Sequence, residues 1–146
     1  MATKDRITCH VLDTTAGRPA RALRVQLTHT PPSAPDAGVT TAAATTPRTF
    51  ESITDDDGRV KTWLPYSAAT ASGDVPVYTL DDVLGELAGE PTSRWTLRFD
   101  TGAYFEGQGT ETFFPEVHVV FTVQQGQGYH VPLLLSPYSY STYRGS

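Results

Sequence analysis

An all-β fold is expected for this chain: an antiparallel sandwich of seven or eight short strands with one short helix. Three observations predict it. Apolar and polar residues alternate in segment after segment, rather than apolar ones returning every three or four positions. Clusters rich in Gly, Pro and Asp separate those segments. The chain has 146 residues, which suits one domain spanning 1–146 that can bury about two thirds of its unfolded surface without disulfide or metal staples.

The elements follow in order. Ile7, Cys9 and Val11 point to one face of a first strand, and Thr8, His10 and Leu12 to the other. A turn covers Asp13 to Pro19. Leu23, Val25 and Leu27 form the apolar face of a second strand. Residues 31–48, rich in Pro, Ala and Thr, read as a long loop. Thr49 to Thr54 reads as a short strand, Asp55 to Gly58 as a tight turn, and Val60 to Leu64 as a further strand. A second long loop region spans 65–91. Within it, Thr79 to Ala88 has helical character, with Thr79 as N-cap, Asp81 and Asp82 in the first turn, and Gly89 and Pro91 as stops. Trp95, Leu97 and Phe99 mark another strand, and Thr101 to Gly109 a turn or short helix. Val117 to Val123 alternates again. The Gly126 to Gly128 turn then leads into Tyr129, Val131, Leu133 and Leu135, and a last strand covers Tyr138 to Arg144.

Composition removes several function classes. The net charge is -5, and the eleven Lys and Arg residues are scattered, whereas a nucleic-acid surface needs a concentrated basic face. No apolar run reaches the length of a membrane span, and the N-terminal residues lack the apolar core of a secretory signal. Cys9 is the single cysteine, so neither an internal disulfide nor a thiolate zinc cluster can form, which fits a reducing compartment. With no targeting tripeptide of the S-K-L kind at Gly145–Ser146, a cytoplasmic location is expected.

The chemistry-bearing residues are few. His29 and His118 read as structural strand residues. His10 and His130 each lie opposite the apolar face of their strands, so both imidazoles can project from one sheet face if the first and penultimate strands pair. The pattern alone leaves that pair open between structural and catalytic roles. Two histidines without a third ligand at suitable spacing make a weak metal site. Arg59 follows the acidic turn. Tyr138, Tyr140 and Tyr143 alternate with small residues in a tail that looks packed rather than frayed. Asp13 reads as turn-forming, and Ser139 and Ser141 as strand surface. No G-x-S-x-G elbow is present, and Cys9 and His10, being adjacent on a strand, face opposite ways and cannot share a proton.

The run from Tyr129 to Ser146, YHVPLLLSPYSYSTYRGS, closely resembles the signature of the 5-hydroxyisourate hydrolases, the transthyretin-related proteins. His10 to Ala20, HVLDTTAGRPA, resembles that family's other signature, and Thr54 to Arg59, Leu97 to Tyr104 and Phe114 to Val117 add matches in the same order. Transthyretin, a hormone carrier, shares part of the tail. The Tyr143–Arg144–Gly145–Ser146 ending and His10 before Val-Leu-Asp separate the hydrolases from such a carrier, which is the alternative.

The resemblance implies a transthyretin-like sandwich whose first strand lies beside the last two, and a homotetramer with sites between dimers. It implies hydrolysis of 5-hydroxyisourate to 2-oxo-4-hydroxy-4-carboxy-5-ureidoimidazoline, without metal or cofactor. The functional residues it points to are His10, Arg59, His130 and Tyr143, with Ser146 closing the pocket. His10 and His130 would activate water, Arg59 would stabilise the developing oxyanion, and Tyr143 would hold the ring. The loops at 31–48 and 65–91 look longer than is usual for this family, which bears on the outer surface and not on the matched motifs.

Overall fold

A computed structural model of the chain describes residues 5–30, 48–66, 79–87, 89 and 91–145, with the backbone alone at Thr30, Pro65 and Tyr66. Residues 31–47 of the first expected loop and 67–78 of the second therefore lie outside the described residues, as does Ser146, whereas Arg48, Pro65 and Tyr66, expected in those loops, are in strands.

Among the described residues, two five-stranded sheets form the architecture. The first contains β1 (Ile7–Asp13), β2 (Arg18–Pro19), β5 (Arg59–Val60), β9 (Tyr129–Ser136) and β10 (Ser139–Thr142), in the order β10-β9-β1-β2, with β5 also on β1. The second contains β3 (Arg24–Thr30), β4 (Arg48–Ile53), β6 (Leu64–Tyr66), β7 (Thr92–Phe99) and β8 (Val117–Gln124), in the order β6-β4-β3-β7-β8. Helix α1 spans Leu80–Glu86 and α2 spans Thr101–Glu106.

The sandwich expected from alternation is therefore present, and its strands alternate as predicted. Ile7, Cys9, Val11, Leu27, Phe50, Trp95, Leu97, Phe99, Leu133 and Leu135 are each fully enclosed between the sheets. Each large side chain so buried contributes about 1.5–3 kcal/mol through removal of apolar surface from water. Trp63 is buried in the same core, its indole N–H donating to the Ile7 carbonyl at 2.7 Å.

Helix α1 begins as its sequence suggests. Thr79 accepts from the Asp82 N–H, and the Asp82 carboxylate accepts from the Thr79 N–H, so two orphan donors are satisfied reciprocally.

Three expectations are corrected. Not every pair is antiparallel: β1 and β9 run parallel over seven residue pairs. Antiparallel neighbours are commonly joined by a tight turn, whereas β1 and β9 are connected through most of the chain, so no turn sets their direction. The segment Val60 to Leu64 is not one strand. It breaks into β5 in the first sheet and β6 in the second, because Trp63 dives into the core between them. The final strand is shorter than Tyr138 to Arg144, and in the single chain its tyrosines are largely exposed: Tyr138, Tyr140 and Tyr143 are 67%, 40% and 59% exposed, with Tyr140 alone of the three set edge-on against Phe114 at 5.0 Å between ring centroids.

Candidate active site

In the central strands β1 and β9 of the first sheet one face lies on the core and the opposite face is the outer one. On β1 that outer face presents Thr8, His10 and Leu12. Register decides what stands beside them. Arg59 on β5 is the cross-strand partner of His10. His130 on β9 is the partner of Thr8, and Pro132 that of His10. The His10 and His130 rings lie with centroids 6.2 Å apart and planes tilted by 37°. Three residues from distant parts of the chain thus share one patch.

Local chemistry fixes Arg59. The Asp55 carboxylate accepts from the Asp57 and Arg59 N–H groups, each at 2.9 Å, and the Arg59 carbonyl accepts from the Asp55 N–H at 3.0 Å. Gly58 has φ +75°, and a Cβ there would collide with the Val11 carbonyl oxygen. Only glycine lets this turn press against β1. Thr54 anchors the other side, its hydroxyl donating to the Ala20 carbonyl at 2.7 Å and accepting from the Leu23 N–H at 2.9 Å. The turn is thus tied to the sheet on both flanks, while the Arg59 side chain stays exposed.

His130 is held from two sides. The Thr8 hydroxyl lies 2.8 Å from its Nδ1. The tail covers another side: the Gly145 N–H donates to the His130 carbonyl at 2.8 Å in an antiparallel bridge. That bridge continues the β9–β10 register, which sets Tyr143 across from Pro132. Pro132 has no N–H to complete the ladder, and its carbonyl accepts from the Thr142 hydroxyl at 2.7 Å. A Cβ on Gly145 would stand 2.9 Å from His130 Cδ2 and 3.2 Å from Pro132 Cγ. The tail rests directly on the histidine because Gly145 has no side chain. A cleft of about 390 Å³ between Phe121 of β8 and the tail at Thr142 to Arg144 also reaches His130. Ser146 lies outside the described residues.

The electrostatics favour a neutral His10. Partial burial lowers its pKa below 6.5, and the nearby Arg59 cation lowers it further. A hydrogen bond to the Asp57 backbone and the Asp55 and Asp57 charges oppose the shift without cancelling it. His10 is therefore an uncharged proton acceptor at neutral pH.

The remaining candidates settle into structural roles. Asp13 is buried, accepting from the Thr15 and Ala16 N–H groups and from the Tyr104 hydroxyl. His118 is exposed beside Glu116 at 2.6 Å. His29 packs on Trp95 with ring centroids 5.1 Å apart, and burial lowers its pKa. Burial pushes the Cys9 thiol well above its usual range, so it is not a nucleophile. Ser139 and Ser141 are exposed on β10. Among the described residues no group of three or more His, Cys, Asp or Glu could hold a metal ion, and no helix is long and apolar enough to cross a membrane.

Two residues beside the predicted site escaped the sequence reading. Thr8 shares the face of His10, but its contact with His130 depends on a register that alternation does not supply. Gly145 lies within the tail motif, yet its need to be glycine follows from contact with His130.

A transthyretin-type sandwich with two histidines and an arginine on the outer face of one sheet is the class these features define. The chain belongs to the HIUase/Transthyretin family, whose model matches residues 7–145. It is 33% identical to a probable 5-hydroxyisourate hydrolase of Schizosaccharomyces pombe, over 96% of this chain and 90% of that one. It is 36% identical to 5-hydroxyisourate hydrolase 2 of Rhizobium meliloti, with both chains fully covered. Among solved structures, 5-hydroxyisourate hydrolase of Klebsiella pneumoniae superposes with a TM-score of 0.59 at 27% identity, covering 96% of this chain and 98% of that one. Sea bream transthyretin in complex with thyroxine superposes at 0.64 with 22% identity, covering 97% and 95%, a likeness of fold alone.

Proposed function

We propose that this chain hydrolyses 5-hydroxyisourate, opening one ring of a bicyclic purine-breakdown product to give 2-oxo-4-hydroxy-4-carboxy-5-ureidoimidazoline. It is thus a cyclic amide hydrolase. The observation that carries the reading is the His10–Arg59 pair beside His130 on one sheet face, in a chain whose full-length relatives bear that activity in their names. A hormone carrier has no use for a neutral imidazole set against a guanidinium.

The reaction needs a base for water, a donor for the carbonyl oxygen and a grip on the ring. A neutral histidine supplies the first, because its pKa lies near working pH. His10 and His130 take the proton from a water molecule placed between them and the substrate. The water oxygen bonds to a ring carbonyl carbon, and the charge that develops on the carbonyl oxygen meets Arg59, whose planar fork offers two parallel donors. As the carbon–nitrogen bond breaks, the leaving nitrogen recovers a proton from the imidazole pair. Tyr143 holds the ring, and the Ser146 end closes the pocket. No metal or cofactor takes part. A homotetramer supplies a second subunit to cover the open face, and the location is cytoplasmic.

The test is direct. 5-Hydroxyisourate generated from urate by an oxidase decays slowly in water with loss of ultraviolet absorbance. Adding this protein should accelerate that loss in proportion to its concentration. An unchanged decay rate would refute the assignment.

A further inference from the structure

We propose that Asp55 is the positioning residue for Arg59: its carboxylate is committed to the backbone of the turn, which sets the guanidinium on the histidine face and leaves it unneutralised. The consequence for turnover rests on the hydrolase reading above; the placement of Arg59 does not.

Arg59 needs a mount outside its own strand. β5 has two residues, and two residue pairs, Cys9 with Val60 and His10 with Arg59, join it to β1. A ladder this short does not set its own register, which falls to the turn before it. The Arg59 side chain is exposed, and among the described residues its guanidinium makes no hydrogen bond or ion pair. Its direction is therefore set by its backbone.

Asp55 supplies that setting. Its Oδ1 accepts from the Asp57 and Arg59 N–H groups, its carbonyl accepts from the Gly58 N–H, and its own N–H donates to the Arg59 carbonyl, all at 2.9–3.0 Å. An aspartate that bonds the backbone a few residues on closes the chain into a fixed turn. Two of these four bonds end on Arg59 itself. The other fixings act to either side: the Val11 N–H donates to the Gly58 carbonyl, and Asp5 holds the chain at Lys61 and Trp63.

The same commitment sorts the charges. Asp55, Asp56 and Asp57 all lie within four residues of Arg59, and any of them could have neutralised it. Asp55 instead spends its carboxylate on backbone amides. The guanidinium fork stays free to meet charge developing on a substrate. Its cation, second to burial, also holds the His10 pKa down. Asp55 does not touch the reacting atoms; it acts through Arg59.

Three substitutions separate acceptor geometry from charge. Asp55→Asn keeps an oxygen at the same reach and loses the charge. Asp55→Glu keeps the charge but carries its oxygens one methylene too far to close the turn. Asp55→Ala loses both. In the absorbance assay Asp55→Ala and Asp55→Glu should each lose about tenfold or more in kcat with little change in KM, as when a group that meets the transition state is displaced. Asp55→Asn should keep most of the turnover. Placement is read without substrate by NMR titration of His10, whose charged and titratable neighbours are Arg59, Asp55, Asp57 and the His130 ring. Arg59→Gln should raise the His10 pKa in the wild type and in Asp55→Asn, and much less in Asp55→Ala and Asp55→Glu, where the guanidinium has already moved away. Comparing each background with and without Arg59 cancels the direct effect of the Asp55 charge. An equal rise in every background would overturn the proposal. So would full kcat in folded Asp55→Ala or Asp55→Glu, or an Asp55→Asn as poor as either. If Asp55→Ala does not fold, the Asn and Glu variants decide the matter. A protein without hydrolase activity would sink the functional reading, while the titration would still decide the placement.

Discussion

Arg59 stands directly across from His10 in the β1–β5 pair, although 48 positions separate them in the chain. A cation opposite an imidazole depresses the pKa of that imidazole, and here it adds to the effect of burial. The same guanidinium can therefore do two things: keep His10 neutral and meet the charge that develops on the substrate.

Those two roles separate by pH. With the His10 pKa held below 6.5, the deprotonated form predominates at neutral pH and is lost as the pH falls through the lowered value. The acid limb of kcat/KM should then lie below 6.5 in the wild type. Arg59→Gln removes the cation, so the acid limb should move upward and the rate at pH 7 should fall. Arg59→Lys keeps the charge and should keep the limb in place, yet still lose activity, because an ammonium cannot offer two parallel donors. A limb that does not move in Arg59→Gln would show that the cation does not tune His10. Near-normal turnover in Arg59→Lys would show that a point charge suffices.

The two histidines should behave as one unit. His10→Ala and His130→Ala each remove a proton-handling group from an outer face, so each should fold normally and lose on the order of a hundredfold or more in kcat. The double variant should be little worse than the poorer single one. Additive losses would mean that the rings act independently, despite lying 6.2 Å apart.

What the sequence disclosed and what it withheld follow one physical line. Alternation sorts side chains between two faces, so it correctly placed Cys9 inward and His10 outward, and Val131 inward and His130 outward. The capping chemistry of Thr79 and Asp82 marked the start of a helix. Alternation says nothing about which strands are neighbours. That β1 lies beside β9 came from the resemblance, and that the pair is parallel came only from the structure. The split at Trp63 was equally hidden, because a tryptophan that changes sheets looks in sequence like one more strand residue. Thr8 and Gly145 matter through contacts made across that unread register.

Gly145 gives a test that is nearly independent of stability. Its missing Cβ leaves no slack: an alanine methyl would lie 2.9 Å from both Cδ2 and the backbone oxygen of His130. Either the ring or the tail must move. The neighbouring tail residues are exposed and outside the core, so Gly145→Ala should change stability by less than about 1 kcal/mol. Turnover should nevertheless fall about tenfold, since small displacements of a catalytic group are costly. Arg144→Ala, which removes a guanidinium 4.9 Å from the Tyr129 ring centroid, should be milder. Thermal melts beside kcat decide it: a stable, fully active Gly145→Ala would mean the tail does not hold His130.

The assembly can be tested through the exposed aromatics. Tyr138, Tyr140 and Tyr143 on the last strand and tail, Phe113 before β8, and Val120 on β8 are 67%, 40%, 59%, 72% and 60% exposed. β8 and β10 are the edge strands of their sheets, and unpaired edges flanked by large apolar groups invite pairing with another chain. The histidine face of a single chain is open, so a homotetramer would both cover these residues and enclose the site. In that arrangement each pocket would need two subunits, so tetramer and activity should disappear together on dilution. Deleting Tyr143 to Ser146 should abolish activity while lowering stability less, because the tail adds to the site more than to the core. Light scattering and rates across one dilution series provide the measurement. A fully active monomer, or a truncated chain with intact turnover, would remove the shared-site arrangement and leave the sandwich unaffected.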